Sequence, residues 1–307
     1  MSTDPDWAIY RTLLAVIDAG SLSGAARSLG LTQPTVARHV EALETALGAD
    51  LFVRSQRGLE PTDLAEALRP HAQMMATTAA ALLRVASGAP GAVEGTVRIS
   101  ASDVVGIEHL PPILARLRRD HPALVIELAL SDRVDDLLAR EADIAVRLTE
   151  PTQTALLARR LPPVELGFHA HRDYLARRGT PAGIADLTAH DLIGYDAETP
   201  ALRAMVARLP ALDRRAFAFR ADSSLAQLAA IRAGFGVGLC QVAIAQRDLA
   251  LVRVLPEVTL LLPMWVVMHE DLKTSSRYRI VFDALVSGLV MKVPSAGINA
   301  GLSEAIT

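Results

Sequence analysis

The segment of residues 87–96, SGAPGAVEGT, divides the chain into two parts with different hydrophobic patterns. Before it, apolar residues recur at steps of three and four, the spacing of amphipathic helices. After it, short apolar runs alternate with helical patterns, which predicts an α/β domain with a parallel sheet flanked by helices. With 307 residues the chain is long enough for two or three domains. We therefore expect a domain boundary at this Gly- and Pro-rich segment.

Three short helices are predicted within residues 6–47. Gly20 and Gly30 end the first two, and Ser21 or Ser23 is suited to cap the second. Thr32 is the predicted N-cap of the third helix, because Pro34 then falls in the first turn, where a missing backbone N–H costs nothing. The predicted inner face of this helix consists of Val36, Val40, Leu43 and Leu47. The opposite face then presents a polar tip that is suited to enter a groove, although a helical hairpin inside an all-α core would share the same pattern.

Residues 50–62, DLFVRSQRGLEPT, predict a two-stranded wing whose turn carries Arg54 and Arg57. Between Thr62 and Ala86 a continuous apolar stripe predicts a helix of about 25 residues, near 37 Å long. An exposed helix of this length usually buries its stripe against a second copy. Pro70 lies inside it and predicts a kink.

Bulk composition narrows the class of protein. The formal net charge is −3, so any contact with nucleic acid must be local rather than due to a basic field over the whole chain. Cys240 is the only cysteine, which excludes an intrachain disulfide and fits a reducing compartment. No secretory signal or bilayer-spanning apolar run is recognisable, so we expect a cytoplasmic protein.

The stretch Leu13–Thr62 resembles, without a gap, the DNA-binding region of the LysR-type transcriptional regulators. The most specific parts are GSLSGAA, TQPTVARHVEALE and LFVR, and a weaker resemblance continues to about Met291. The resemblance implies an α/β multidomain protein. It would have an N-terminal winged helix-turn-helix, a long linker helix, and a two-subdomain α/β effector domain like that of periplasmic binding proteins.

The resemblance also implies roles for individual residues. In the family the Gln-Pro start of the third helix meets DNA, and this role carries over to Gln33 and Pro34. The full set expected to contact DNA is Ser23, Thr32, Gln33, Pro34, Thr35, Arg38, Arg54 and Arg57. The two wing arginines are expected on phosphate, and His39 is a further candidate for phosphate. Expected partners are double-stranded DNA with a pseudo-palindromic site, a small-molecule effector and a second copy in a homodimer or homotetramer, with RNA polymerase as a further candidate.

The expected domain limits follow the same resemblance. The DNA-binding domain covers residues 1–60, the dimerising linker helix 61–87, the hinge 88–94, the effector-binding domain 95–293 and a poorly ordered tail 294–307. Within the effector-binding domain, subdomain I covers about 95–161 and 269–293, and subdomain II about 162–268.

Ligands in such two-lobed folds bind between the lobes, at strand ends and helix N-termini. The residues that meet this description are Ser102, Asp103, Ser131, Arg147, Thr149, Ser223 and Ser224. Each of them could equally be a local cap, and Ser223 in particular fits an N-cap. Arg147 suits a carboxylate ligand, or else pairs with Asp143 or Glu127.

Other kinds of site and protein are weaker alternatives. The AGFGVGL turn at 233–239 follows a helix and leads into a strand, the reverse of a dinucleotide fingerprint. His169 and His171 lack a third metal ligand of suitable spacing, and Cys240 lacks an evident base partner. We expect no cofactor, no metal and no enzymatic activity. A solute-binding protein of a transporter remains an alternative that the second half alone would suggest.

Overall fold

The computed structural model describes residues 5–55, 58–86, 91–131, 142–151, 156–197 and 214–290. These residues form two compact units, the first ending at Ala86 and the second containing the residues from Gly91 onward. Four sequence expectations fall wholly or partly outside the described residues. They concern Arg57, a helix that the pattern RVDDLLAR predicts over 133–140, residues 88–90 of the hinge and the 294–307 tail.

The first unit consists of four helices and a two-stranded wing. Its elements are α1 (Trp7–Ala19), α2 (Leu22–Leu29), α3 (Gln33–Leu47), β1 (Phe52–Ser55), β2 (Gly58–Pro61) and α4 (Asp63–Ala86). Gly20, Gly30 and Gly48 follow α1, α2 and α3 with φ values of 60°, 67° and 68°, a left-handed conformation that favours glycine. The glycine pattern in the sequence therefore sets the three short helices.

The wing is fixed to the helical core by a glycine contact. β1 and β2 pair antiparallel, and the Leu59 N–H donates to the carbonyl of Gly20 at 2.9 Å. A Cβ at Gly58, where φ is 124°, would lie 2.6 Å from that carbonyl oxygen. Only glycine fits here without displacing the wing, so the α1–α2 turn sets the wing's position.

The long helix α4 is buried on one side as far as Arg84 and carries exposed leucines near its end. Ala65 and Ala72 are buried in the cluster formed with α1 and α3, whereas Leu82 and Leu83 are 68% and 74% exposed. The helix remains continuous across Pro70, and at 24 residues it is about 36 Å long.

The second unit is built on one mixed sheet. Its strands are β3 (Gly95–Ala101), β4 (Leu124–Leu130), β5 (Ile144–Arg147), β6 (Leu156–His171), β7 (Leu192–Gly194), β8 (Phe217–Arg220), β9 (Val237–Gln241), β10 (Leu251–Val254) and β11 (Leu260–His269). Its helices are α5 (Leu110–Asp120), α6 (Arg172–Arg178), α7 (Ser224–Arg232), α8 (Val242–Ala245) and α9 (Ser276–Val290). A π-helical segment, Val105–His109, precedes α5.

The strand order is β4-β3-β5-β11-β6-β9-β7-β8, with β10 also paired to β6. The expected parallel pairing occurs between β3, β4 and β5, and again between β7, β8 and β9. The expectation was wrong for β6, β10 and β11, which pair antiparallel. Two of these strands, β6 and β11, join two halves, which we call the first lobe (β3–β5, α5, α9) and the second lobe (β7–β10, α6–α8).

Two long strands, β6 and β11, run from one lobe into the other. Leu161 and Val164 of β6, with Met264, Val266 and Met268 of β11, lie in the first lobe's core. The sequence had assigned 162–268 to the second lobe, so the first lobe extends further along both strands than expected. The reason is that both strands continue past prolines, at 162–163 and at 263, which mark an irregularity in their ladder rather than strand ends.

Within the described part of the chain, no helix combines the length and apolar character required to cross a membrane. Nor do the described residues contain a group of three or more His, Cys, Asp or Glu side chains arranged to hold a metal ion.

Candidate nucleic-acid interface and ligand cavity

The start of α3 has the rigid polar tip that the sequence predicted. Thr32 Oγ1 accepts the Thr35 N–H at 3.4 Å and lies 2.8 Å from Thr35 Oγ1. Gln33, Pro34 and Arg38 are exposed, while Val36 is fully buried on the opposite face. The cap and Pro34 fix the direction of the first turn, so the exposed side chains project from a pre-ordered backbone.

The inner face of α3 is narrower than expected. Val36 and Leu43 are buried in the core of the first unit, and Val40 is half-buried against it. The expectation was wrong for Leu47, which is 42% exposed. Leu47 is the last residue of α3, and the chain turns at Gly48 before another layer can cover it.

His39 is half-buried and forms a hydrogen bond within the first unit. Its Nδ1 lies 2.8 Å from Thr12 Oγ1, and that hydroxyl donates its own hydrogen to the Ala8 carbonyl. Thr12 must therefore accept from His39, which fixes Nδ1–H on the imidazole. This bond ties α3 to α1 and orients the tip.

The other predicted DNA contacts lie on two elements beside α3. Ser23 is exposed in the first turn of α2, whose cap is Ser21 rather than Ser23, since Ser21 accepts the Gly24 N–H at 3.2 Å. Arg54 is exposed on β1 of the wing. Two carboxylates of the unit are engaged internally: Glu44 accepts the Leu51 N–H at 2.7 Å, and Asp18 pairs with Arg69 at 3.5 Å.

A cavity of about 90 Å³, the cleft cavity, lies between the two lobes of the second unit. Its polar lining consists of Ser102, Asp103, Tyr195, Ser224, Gln227 and Gln241. Ser102 precedes the helical turns that begin at Asp103, and Ser224 opens α7, so two helix N-termini meet at this cavity. Helix N-termini carry unpaired N–H groups and a partial positive charge.

Ser102 is the most informative residue of the cleft cavity. Its side chain is 6% exposed, and its Oγ has no hydrogen-bond partner within the described ranges. A buried hydroxyl without a partner costs about 1–3 kcal/mol, so its presence requires a reason. Ser224 Oγ lies 3.3 Å from Tyr195 OH in the same cavity.

The remaining predicted ligand contacts do not line the cleft cavity. Ser223 caps α7 by accepting the Ala226 N–H at 3.3 Å, as its sequence position suggested. Arg147 is buried and donates to Ser100 Oγ at 2.8 Å, which directs its guanidinium across the sheet to β3. Thr149 is exposed, and Ser131 is half-buried, its N–H bonded to the Ala101 carbonyl. Tyr195, Gln227 and Gln241 were missed, although Tyr195 and Gln241 stand at or after strand ends, the signal that identified Ser102.

A chain of polar contacts joins the lobes beside the cleft cavity. Glu108, in the π-helical segment, pairs with Arg232 of α7 at 2.7 Å. Arg247 donates to the Glu108 carbonyl at 3.1 Å and to His109 Nδ1 at 3.3 Å. Since Nδ1 accepts, His109 carries its proton on Nε2 and donates to Gln241 Oε1 at 2.8 Å.

The Glu108–Arg232 bond predicts a pH-dependent contribution to stability. The bond to Arg232 lowers the pKa of Glu108 below its ordinary value of 4.5 despite partial burial. A carboxylate whose pKa is lower in the folded state stabilises the fold above the unfolded pKa, and this stabilisation is lost as the pH falls through the folded pKa. We expect Glu108→Gln to lower the free energy of unfolding by about 1 kcal/mol at about pH 7, or Tm by about 2–4 °C.

The measurement is Tm by circular dichroism from about pH 7 to about pH 3.5. The difference between the unmodified chain and Glu108→Gln should shrink towards the acid end. Glu127→Gln, which removes a more exposed pair with Arg98 inside the first lobe, is the matched control and should have a smaller effect. A gap in Tm that stays constant across the pH range would contradict the assignment.

Cys240 has a histidine neighbour that sequence reasoning did not find. His169 Nδ1 lies 3.4 Å from Cys240 Sγ and 2.9 Å from the Gly167 carbonyl. The carbonyl can only accept, so Nδ1 carries the proton and is no base for the thiol. Burial raises the pKa of the Cys240 thiol to about 12, and burial lowers the pKa of His169. The thiol is therefore an inert part of the cavity wall.

Two family models match the chain. The LysR substrate binding domain matches residues 90–289, and the bacterial regulatory helix-turn-helix protein, lysR family, matches residues 7–66. Together they cover both units described above.

Individual proteins similar to this chain are also transcriptional regulators. The chain is 29% identical to a probable HTH-type transcriptional regulator LtrA of Klebsiella pneumoniae, covering 98% of this chain and 97% of that protein. It is 28% identical to the HTH-type transcriptional activator TtdR of Escherichia coli over 60% of this chain and 59% of that protein.

Among solved structures, CrgA, a LysR-type transcriptional regulator from Neisseria meningitidis, has a TM-score of 0.56 and 26% identity, over 92% of this chain and 98% of that one. CbnR complexed with its target DNA has a TM-score of 0.65 over 94% of this chain and 100% of that one. At 19% identity, it shows the likeness of the fold alone.

Proposed function

The chain belongs to the LysR family of transcriptional regulators, with a helix-turn-helix DNA-binding domain and an effector-binding domain, and we propose that a small anionic effector in the cleft cavity controls how it binds its operator. The observation that carries this proposal is the buried, unpartnered Ser102 hydroxyl where two helix N-termini meet. Its relatives are regulators, and no chemical conversion of the effector is part of the proposal. The protein would act in the cytoplasm, where its DNA is.

In the proposed complex, α3 enters the major groove with its capped end first. Gln33, Thr35 and Arg38 reach base edges, and Pro34 fixes the approach of the backbone. The exposure of Gln33 and Arg38 over a fully buried Val36 supports this orientation. Thr32, Ser23, and Arg54 with Arg57 of the wing contact phosphates, which position the domain without reading sequence.

The exposed apolar side of α4 supports pairing with a second copy. Its large exposed apolar side chains are Leu64, Met74, Met75, Leu82, Leu83 and Val85. A soluble monomer would leave this stripe in water along much of a 24-residue helix. A dimer would place two recognition helices on a pseudo-palindromic operator, and two such dimers would form the proposed tetramer. RNA polymerase is a further proposed partner at a promoter.

The proposed effector is a short organic acid. The N–H groups at the two helix starts and the hydroxyls of Ser102, Ser224 and Tyr195 all suit a carboxylate. A cavity of about 90 Å³ has room for roughly six water-sized positions, which fits a molecule of a few carbon atoms.

The effector would act by favouring one arrangement of the lobes. It would touch Ser102 of the first lobe and Tyr195 and Ser224 of the second. A ligand shifts such an equilibrium only by its difference in affinity for the two arrangements. The same free energy then links effector affinity to operator affinity, because coupling between two sites is reciprocal.

The effector proposal is tested with a panel of short carboxylic acids in a thermal-shift screen, followed by calorimetric titration of any hit. We expect Ser102→Ala and Ser224→Ala each to lower the affinity for the acid found in the screen by about tenfold, because each removes one hydrogen bond to a charged group. Both variants should still retard operator DNA but no longer respond to the acid.

Ser223→Ala is the matched control, since the hydroxyl next to Ser224 caps α7 outside the cavity. It should lower stability by about 1 kcal/mol and leave the affinity for the acid unchanged. If Ser102→Ala binds the acid as well as the unmodified chain does, the effector site lies elsewhere.

A further inference from the structure

A second cavity, the hinge cavity, lies where β6 and β11 cross between the lobes. Its volume is about 370 Å³, compared with about 90 Å³ for the cleft cavity. Small-molecule sites usually occupy about 300–1,000 Å³, so the hinge cavity alone of these two falls in that range. Both lobes contribute walls: Val105 and Leu289 from the first, Val242 and Arg253 from the second.

The walls of the hinge cavity are mostly apolar. Val105, Val164, Val242, Met264 and Leu289 provide aliphatic and thioether surface, and Pro163 and Pro256 add to it. An apolar wall of this kind favours a ligand that loses little hydration on entry, such as a ring-containing molecule.

The charged groups in these walls neutralise each other. Glu165 pairs with Arg253 at 2.8 Å, and Arg253 also donates to Thr259 Oγ1 at 2.8 Å. A charged ligand would lose its hydration without meeting an unpaired counter-charge. This distinguishes the hinge cavity from the cleft cavity, where helix N-termini suit an anion.

Two polar groups of the lining are left over for a ligand: Arg253 Nε, which is buried and has no partner within the described ranges, and the amide nitrogen of Gln241. Gln241 lines both cavities and is 5% exposed, and its Oε1 is occupied by His109. Within the described part of the chain no group accepts from its amide nitrogen, although an amide group can donate twice. An acceptor atom on a ligand would satisfy it.

We propose that the hinge cavity is a second ligand site, which binds a neutral ring-containing molecule with one hydroxyl or carbonyl group directed at Gln241. The ligand contacts β6 at Pro163 and Val164 and β11 at Met264, at the point where both strands pass between the lobes. A molecule bound there therefore favours one angle between the lobes. This proposal does not rest on the effector role of the cleft cavity.

The test uses the full chain and 2-naphthol, a neutral two-ring molecule with one hydroxyl, in calorimetric titration at about pH 7. We expect saturable binding of one molecule per chain with a Kd below about 1 mM. Naphthalene-2-sulfonate has the same rings but a permanent charge, and it should bind at least about tenfold more weakly. Absence of saturable 2-naphthol binding, or equal binding of the sulfonate, would overturn the proposal.

Substitutions locate the site. Ala243 of α8 lines the hinge cavity. The larger side chain in Ala243→Phe would occupy the space of the ligand, so the Kd of 2-naphthol should rise by at least about tenfold. Ala229→Phe, on the exposed side of α7, is the matched control and should change the Kd less than about twofold. If circular dichroism shows that Ala243→Phe is unfolded, Gln246→Trp, an exposed residue lining the same cavity, replaces it.

A variant that fills the cleft cavity tests whether 2-naphthol binds there instead of in the hinge cavity. Ser224→Phe fills the cleft cavity, which Ser224 lines, and should leave the 2-naphthol Kd within about twofold of the unmodified chain. Loss of binding in Ser224→Phe together with normal binding in Ala243→Phe would place the probe in the cleft cavity and overturn the proposal.

Discussion

Replacing Arg38 with alanine should remove retardation of operator DNA at protein concentrations that saturate the unmodified chain. Arg38 is exposed on α3, one turn beyond the capped tip, where its guanidinium can bind the O6 and N7 atoms of a guanine. Such a contact contributes about 1–3 kcal/mol, and a dimer loses two of them. Operator affinity should therefore fall by about 2–6 kcal/mol, which is at least about thirtyfold. Fluorescence anisotropy on the upstream intergenic fragment measures it.

Substitutions of two further arginines distinguish a contact that reads bases from general electrostatic attraction to DNA. Arg69→Ala is the matched control, because Arg69 is held on α4 by Glu66 and Asp18, and its loss should leave operator affinity nearly unchanged. Arg54→Ala should weaken specific and non-specific DNA alike and reduce the salt slope by about 1 per contact. Normal operator binding by Arg38→Ala would refute the proposed orientation of α3.

The double substitution Leu82→Asp with Leu83→Asp should convert the protein to a monomer. These two leucines are the most exposed large apolar residues of α4, at 68% and 74%. Burying each would contribute about 1.5–3 kcal/mol, and a dimer buries two from each chain, or about 6–12 kcal/mol. Carboxylates at the same positions would also repel each other across the pair. Sedimentation velocity measures the mass, and binding to a two-half-site operator should fall in parallel.

The control replaces two exposed leucines of the second unit with aspartate. Leu249 and Leu261 are 87% and 62% exposed, and changing both to aspartate should leave the oligomeric mass unchanged. Circular dichroism must show the same helix content in both double variants. A dimer that survives Leu82→Asp with Leu83→Asp would mean that α4 does not carry the pairing.

The first unit could be predicted closely because its signals are local. Gly20, Gly30 and Thr32 each act within one turn of their own position, so the ends of α1, α2 and α3 follow from neighbouring residues. Leu47 was assigned wrongly because helical periodicity says which face a residue is on but not whether another layer covers it.

The second unit was predicted less completely because its sheet depends on distant residues. The pattern VELGFHAH predicts a strand that begins at Val164, yet β6 starts at Leu156, continues past Pro162 and Pro163, and pairs with β11. Contacts more than 100 residues apart in sequence decide this outcome, and no local pattern records them.

Some residues of the cleft cavity could be predicted from the sequence and others could not. The rule that polar residues at strand ends meet at one edge found Ser102 and Ser224. It failed for Arg147, because a long side chain can reach back along the sheet, here to Ser100. Gln241 needed the structure, since nothing in its neighbourhood shows that His109, 132 positions away, is its partner.

The prolines in the two crossing strands have a mechanical consequence. β6 and β11 form a ribbon whose rungs run from Leu156 to Leu166, except where Pro162, Pro163 and Pro263 interrupt them. Proline has no N–H to donate, so the ribbon resists torsion least at that gap. We therefore expect a rotation of one lobe against the other to be concentrated at this gap.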